Sequence, residues 1–236
     1  MPNPLTKAAL ELRESLRGHT FPEPVAYTYQ PLDYAWDNHA AYLEKYGSGK
    51  KRAVFLGMNP GPWGMTQTGV PFGEIAAVRG WLQIEGPVGK PEGECPKRPV
   101  TGFSCPKSEV SGRRLWGLFQ ELYGSAEDFF EDNFVANFCP LVWMTETGAN
   151  VTPDKIPAAS MTPVVEACQV HLAKTLEALE PEILVGIGVW AEKQLKAVAR
   201  PGQVVGKILH PSPASPAANR DFAGTATKQL QQLGLL

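Results

Sequence analysis

The sequence predicts an α/β fold, a three-layer α/β/α sandwich around a central, mainly parallel four-stranded sheet. Three observations lead there. Four short runs, Ala53–Gly57, Phe134–Phe138, Glu182–Ile187 and Val204–Leu209, are apolar without alternation and read as strands buried on both faces. Helix-length segments separate each run from the next, as parallel strands require. The first run passes directly into a glycine- and proline-rich stretch, GMNPGPWGMTQTGVPFG from Gly57 to Gly73, in the manner of a strand opening into a tight-cornered loop.

Taken in order, Leu5–Arg17 has the apolar spacing of a helix, and Asp33 is placed to cap a second helix reaching about Tyr46. The first strand and its loop follow, then helical patterns over Phe72–Gln83 and Ser111–Leu122. Gln83–Val110, rich in Pro, Gly and Lys, is the one long loop expected. After the second strand come a helix over Met161–Leu179, the third strand, a helix over Val189–Ala199, the fourth strand and a closing helix over Pro216–Leu233. The 236 residues suffice for one well-packed domain, so the chain is read as a single domain, 1–236, with its N-terminal helices (about 3–46) packed upon it.

Apolar content of 43% and charged content of 19% are those of an ordinary folded protein. The N-terminal residues carry charges throughout, unlike a secretion signal, and the longest apolar stretch, Ile183–Ala191, is too short to span a bilayer. The expected location is the cytoplasm (a bacterial-type cytosol and nucleoid), or the nucleus in a eukaryote. The four cysteines form no CxxC pair and have no histidine at finger spacing, so reduced thiols and no metal are expected. Cys139 and Cys168 have core-like surroundings, whereas Cys95 and Cys105 lie in the Pro/Lys-rich loop and are expected to be exposed. A net charge of −2 hides an uneven distribution: six Lys/Arg against one acid from Lys193 onward, but eleven acids against two lysines from Glu121 to Glu182. A basic face of this kind suits phosphate contact.

Ligands of parallel sheets bind beyond the carboxyl ends of the strands. Asn59 follows the first strand, Asn137 ends the second, Gly186-Ile187-Gly188 ends the third, and His210-Pro211-Ser212-Pro213 ends the fourth. Asn59, Phe72, Asn137 and His210 thereby converge on one sheet edge. Two carboxamides match the donor–acceptor edge of a nucleobase, a phenyl ring can stack on its face, and an imidazole can donate to an oxygen that becomes negative. Gly186 and Gly188 lack the third glycine of a dinucleotide fingerprint. Singly, each residue has a plainer explanation as a turn, core or loop residue; what points to a base is their coincidence at four strand ends.

GMNPGPWGMTQTGVPFG, SEVSGRRLW, NFCPLVW and HPSPASP, in this order and spacing, resemble the single-strand-selective monofunctional uracil-DNA glycosylases of the uracil-DNA glycosylase superfamily. The resemblance spans Tyr27 to the C-terminal helix. It implies a three-layer α/β/α fold, excision of uracil and certain 5-modified uracils such as 5-hydroxymethyluracil, base flipping, no cofactor and no cleavage of the backbone. It further implies that Asn59 holds the hydrolytic water and His210 bonds the uracil O2. Phe72 would stack on the flipped base, Asn137 would read its Watson–Crick edge, and Met58, Gly61 and Met65 would complete the binding pocket, the last two near the base's 5-position. Pro211, Ser212, Pro213 and Ala214 would belong to a wedge pressed into DNA. Ala214 stands where vertebrate members have arginine, which implies weaker separation of paired strands.

The expected partner is uracil-containing DNA, single-stranded and in some measure double-stranded, bound by a monomer without metal or membrane. So few charged groups suit a bond that breaks largely before water attacks, because the barrier then lies in the leaving anion and the oxocarbenium-like sugar. Three other readings compete. A nucleotide or nucleoside hydrolase would need metal-binding carboxylates near Asn59, which the motifs do not supply. A glycosylase for deaminated purines (xanthine, hypoxanthine) would use the same scaffold, and a catalytically silent damaged-DNA binding module would keep the pocket without the reaction.

Overall fold

The structure, a computed structural model, describes residues 3–236. Four strands, β2 (Ala53–Gly57), β3 (Asn133–Asn137), β6 (Ile183–Ile187) and β7 (Val204–Ile208), form an all-parallel sheet in the order β3-β2-β6-β7. Its register pairs Gly57 with Asn137 and Ile187 with Ile208, so the strands end side by side. Of the first pair, Asn137 belongs to the predicted site, and Gly57 opens the loop that carries Met58, Asn59, Gly61, Met65 and Phe72.

Right-handed crossovers distribute the helices. The β2–β3 connection carries α4 (Met65–Thr68), α5 (Ile75–Gly80), α6 (Val110–Tyr123) and α7 (Ala126–Asp132). Because α8 (Ala158–Leu179) and α9 (Val189–Val198) join strands running across the sheet in the other direction, they cover its opposite face. The N-terminal helix α1 (Pro4–Ser15) packs on α8, and the C-terminal helix α10 (Pro216–Gln232) packs on α6. The predicted three layers and parallel sheet are thus present.

Fully buried Phe55 in the middle of β2 meets the Phe119 ring at 5.1 Å, and Phe119 stacks on Phe129 at 4.2 Å. Trp116, at 6.0 Å from Phe119, continues this aromatic wall toward the strand ends.

Several expectations are corrected. The segment after Asp33 is two helices, α2 (Pro31–Tyr34) and α3 (Trp36–Tyr46), broken at Ala35; Asp33 caps neither and pairs with Arg13 at 2.7 Å. The helix expected over Phe72–Gln83 is α5 alone, capped by Glu74, which accepts the Ala77 N–H at 3.0 Å. Strand β7 is an edge strand whose Val204 is 49% exposed, not a strand apolar on both faces. A small antiparallel sheet of β1 (Tyr27–Tyr29), β4 (Val142–Met144) and β5 (Asn150–Val151) was not expected. It explains Cys95, which is buried rather than exposed: the Tyr29 hydroxyl accepts its N–H at 2.7 Å and donates to the Arg98 carbonyl at 2.9 Å, folding the long loop over this sheet. Cys105 is partly exposed, and Cys139 and Cys168 are core, as expected. No helix among the described residues is long and apolar enough to cross a membrane.

Candidate active site

The stretch after β2 is ordered by its own side chains. Thr66 Oγ1 donates to the Gly61 carbonyl at 2.7 Å and Thr68 Oγ1 to that of Gly73 at 3.0 Å. Gln67 donates to Pro62 at 3.1 Å and accepts the Thr101 N–H at 2.9 Å, so one amide ties this stretch to the long loop beside it. Thr66, Gln67 and Thr68 are fully buried, and these bonds offset the cost of burying their polar atoms. The loop is therefore stiff, as its prolines imply.

The floor of the pocket is Gly57. A β-carbon there would come within 2.5 Å of Asn137 Oδ1 and 2.6 Å of the Phe72 ring, so only a bare α-carbon lets these two groups sit together. The carboxamide of Asn137 donates through Nδ2 to the sulfur of Met65 at 3.4 Å, bringing three of the predicted residues into one cluster. Phe72 lies outside any helix, with φ of 51°, and its carbonyl accepts from Trp116 Nε1 at 3.0 Å. That backbone turn, costly for a non-glycine residue, presents the ring across the pocket. Behind Asn137 a cavity of about 30 Å³, large enough for water, is lined by Met65, Pro71, His39 and His171 among others.

Asn59, half-buried, donates through Nδ2 to the Leu141 carbonyl at 3.1 Å, leaving Oδ1 free to accept. Its neighbour Met58 offers its carbonyl to the Cys139 N–H at 2.9 Å, which joins the loops after β2 and β3. Gly61 and Gly64 both lie against the carboxyl of Glu109, which burial raises to about 7, opposed by the Gly61 N–H and assisted by the nearby Glu74.

His210 is held apart from this cluster, on the far side of the strand ends. It packs against Gly188, and its Nδ1 accepts the Ser212 N–H at 3.1 Å, which leaves the proton of the neutral ring on Nε2. Burial lowers its pKa, which favours the neutral ring. Strands β3 and β7 stand three spacings apart, roughly 14 Å, so Asn137 and His210 follow opposite edge strands of the sheet. Beyond His210, Pro211 is buried, while Pro213 and Ala214 are exposed at the tip of a turn closed by Ser212, whose Oγ accepts the Ala214 N–H at 3.1 Å.

Sequence reasoning overlooked Gly57, Gln67, Glu109, Gly112, Arg114 and Trp116. Four of these lie in or beside SEVSGRRLW, a block quoted without a role for its residues. Among the described residues, no group of three or more His, Cys, Asp or Glu could hold a metal ion.

A model of the uracil DNA glycosylase superfamily matches residues 44–232. The chain belongs to that superfamily. The match covers the whole parallel sheet and every loop that contributes to the pocket. The single-strand selective monofunctional uracil DNA glycosylase of Bos taurus is 45% identical over 230 residues, covering 96% of this chain and 85% of the relative. That of Rattus norvegicus is 46% identical over 230 residues, covering 96% and 83%. A crystal structure of wild-type Pedobacter heparinus SMUG2 superposes with a TM-score of 0.70 at 18% identity, covering 98% of this chain and 97% of that one, a likeness of fold. As a superfamily member, this uracil-DNA glycosylase carries its candidate residues at the strand ends where the sheet's topology places a ligand.

Proposed function

We propose that this protein excises uracil from DNA by hydrolysing the N-glycosidic bond of a flipped nucleotide, and that it accepts 5-modified uracils such as 5-hydroxymethyluracil. The observation that carries this reading is the meeting of the Asn137 carboxamide, the Phe72 ring and the Met65 thioether over the bare floor at Gly57. A carboxamide accepts from uracil N3–H and donates to O4, whereas cytosine reverses that pattern. The membership of the chain and the names of its mammalian relatives support the same substrate.

In this reading the ring of Phe72 holds the base flat while Asn137 fixes its edge, exchanging the Met65 sulfur, a weak acceptor, for the base oxygen. As the C1′–N1 bond lengthens, negative charge gathers on the uracil ring, and His210 Nε2–H donates to O2. A neutral imidazole serves, because its Nδ1 is committed to Ser212. Asn59, anchored through Nδ2, accepts a hydrogen bond from water through Oδ1 and aims the oxygen at C1′. It cannot take the proton itself; the water adds to an already cationic sugar and gives up its proton afterwards, to solvent or to the departed uracil anion. Thymine differs from uracil only by a methyl, and the rigid wall at Gly61 and Met65 rejects it, an effect worth about 1–3 kcal/mol for an apolar contact.

Single-turnover assays with chelator, on single- and double-stranded oligonucleotides holding uracil, 5-hydroxymethyluracil, xanthine, hypoxanthine or thymine, test the proposal. Alkali-revealed abasic sites at uracil, with no strand break before alkali, are the expected result. Excision confined to xanthine or hypoxanthine would move the substrate to deaminated purines, and no product with any base would leave a binding module.

A further inference from the structure

Arg114 lies in the SEVSGRRLW block, on α6. Its Nη1 donates to the carbonyl of Pro211 at 3.0 Å and reaches that of Ser212 at 3.4 Å; its Nη2 donates to Asn219 Oδ1 at 2.9 Å. Asn219 turns back, donating through Nδ2 to the Pro213 carbonyl at 2.8 Å. One planar guanidinium thereby fastens both ends of the turn that follows His210. Among the described residues, no carboxylate lies within ion-pair distance of it. Its hydrogen bonds all go to Pro211, Ser212 and Asn219, the residue of α10 that in turn holds Pro213.

The same turn positions the imidazole, because the Ser212 N–H is what His210 Nδ1 accepts. The helix bearing Arg114 also fixes the stacking ring, through Trp116 Nε1 on the Phe72 carbonyl and the close approach of Gly112 to that group. We propose that Arg114 is a positioning residue that holds the Ser212 amide on His210, keeping the imidazole in the Nε2–H form and registering it with the stacking ring on the same helix. The proposal rests on the role given to His210 above. A lysine cannot replace it: an ammonium is a point donor and cannot reach Pro211 and Asn219 in two fixed directions at once.

Arg114→Ala, Arg114→Lys and Asn219→Ala test this with two readouts. The first is the ¹⁵N chemical shifts of the His210 ring in the free protein, with buried His39 as an internal control. Wild type is expected as the Nε2–H tautomer. In Arg114→Ala and Arg114→Lys the His210 nitrogens shift toward a tautomeric average while His39 is unmoved, and Asn219→Ala lies between. The second readout is single-turnover excision of uracil, expected to fall about tenfold or more in Arg114→Ala, with half-saturation by DNA changed far less. Wild-type His210 shifts in both Arg114 variants would overturn the proposal. So would full rescue by lysine, which would make Arg114 a charge for phosphate, or a parallel shift of His39, which would make it a general prop of the fold. A wild-type protein that excised no uracil would sink the proposed function, yet the ring shifts would still decide whether Arg114 holds His210.

Discussion

The α-carbon of Gly112 lies so close beneath the carbonyl of Phe72 that a β-carbon there would come within 3.0 Å of the carbonyl carbon and nearer still to its oxygen. Alanine normally suits a helix better than glycine by about 1 kcal/mol, but Gly112→Ala must displace the turn that aims the stacking ring. We expect excision of uracil to fall at least tenfold, on the scale that misplaced groups cost, with only a modest fall in Tm. Single-turnover kinetics alongside thermal melting check this, and unchanged kinetics would mean the Phe72 backbone is not held by this contact.

Gly57→Ala attacks the same pocket from below. Its methyl would push apart Asn137 Oδ1 and the Phe72 ring. Binding of free uracil, followed by calorimetry or product inhibition, should be lost while affinity for undamaged DNA is retained. Loss of both together would point to a damaged fold instead.

His210→Ala should lower the chemical step by about a hundredfold, the usual cost of removing a preorganised donor, and Asn59→Ala by about as much through loss of the group that orients water, each with DNA affinity nearly intact. Rapid-quench rates and equilibrium binding on one uracil oligonucleotide separate the two quantities. A parallel collapse of affinity would contradict the roles assigned.

Ala214→Arg should raise excision from duplex DNA and leave single-stranded excision unchanged, because the exposed tip at Ala214 has only a methyl to fill the gap left by an extruded base. The ratio of duplex to single-strand rates is the measurement. A ratio that does not move would remove this turn from strand separation.

Stability should decline as pH falls from about 6.5 toward 4. Burial pushes both His39 and His171 down to about 4, so from their ordinary 6.5 downward the unfolded chain takes up protons that the folded one refuses. Glu109 acts oppositely: burial raises its carboxyl to about 7 from an ordinary 4.5, so its contribution is fully present below 4.5 and lost as pH rises through 7. Two histidines outweigh one glutamate, and the net slope is acid-labile. Glu109→Gln should therefore steepen the acid loss and raise Tm at pH 8 relative to pH 5, while His171→Gln should flatten it. Melting curves of the three proteins across pH 4–8 show whether the slopes order this way.

The four parallel strands were legible because each has its own helix-length spacer and three are apolar runs, and the topology rule then carried Asn59, Asn137 and His210 to one edge. The same signal says nothing of β1, β4 and β5, two or three residues each, whose pairing of Tyr27 with Met144 depends on contacts far along the chain. Apolar spacing extended the helix back to Phe72 because it cannot register a left-handed backbone held by an indole 44 residues away. Arg114 was invisible for the same reason: its partners lie 97 and 105 residues further on. Gly57 and Gly112 were present in quoted motifs, yet nothing in a linear sequence marks which glycine is bare because another group needs its space.

The groups proposed to surround the base are Asn59, Met65, Phe72 and Asn137, which carry no ionisable side chain, and His210, whose burial favours its neutral form. Counterions compete for a phosphate track but find no charged side chain to screen among these five residues. Ionic strength is thus expected to act on how long the protein dwells on DNA and how far it travels more than on the moment of base release.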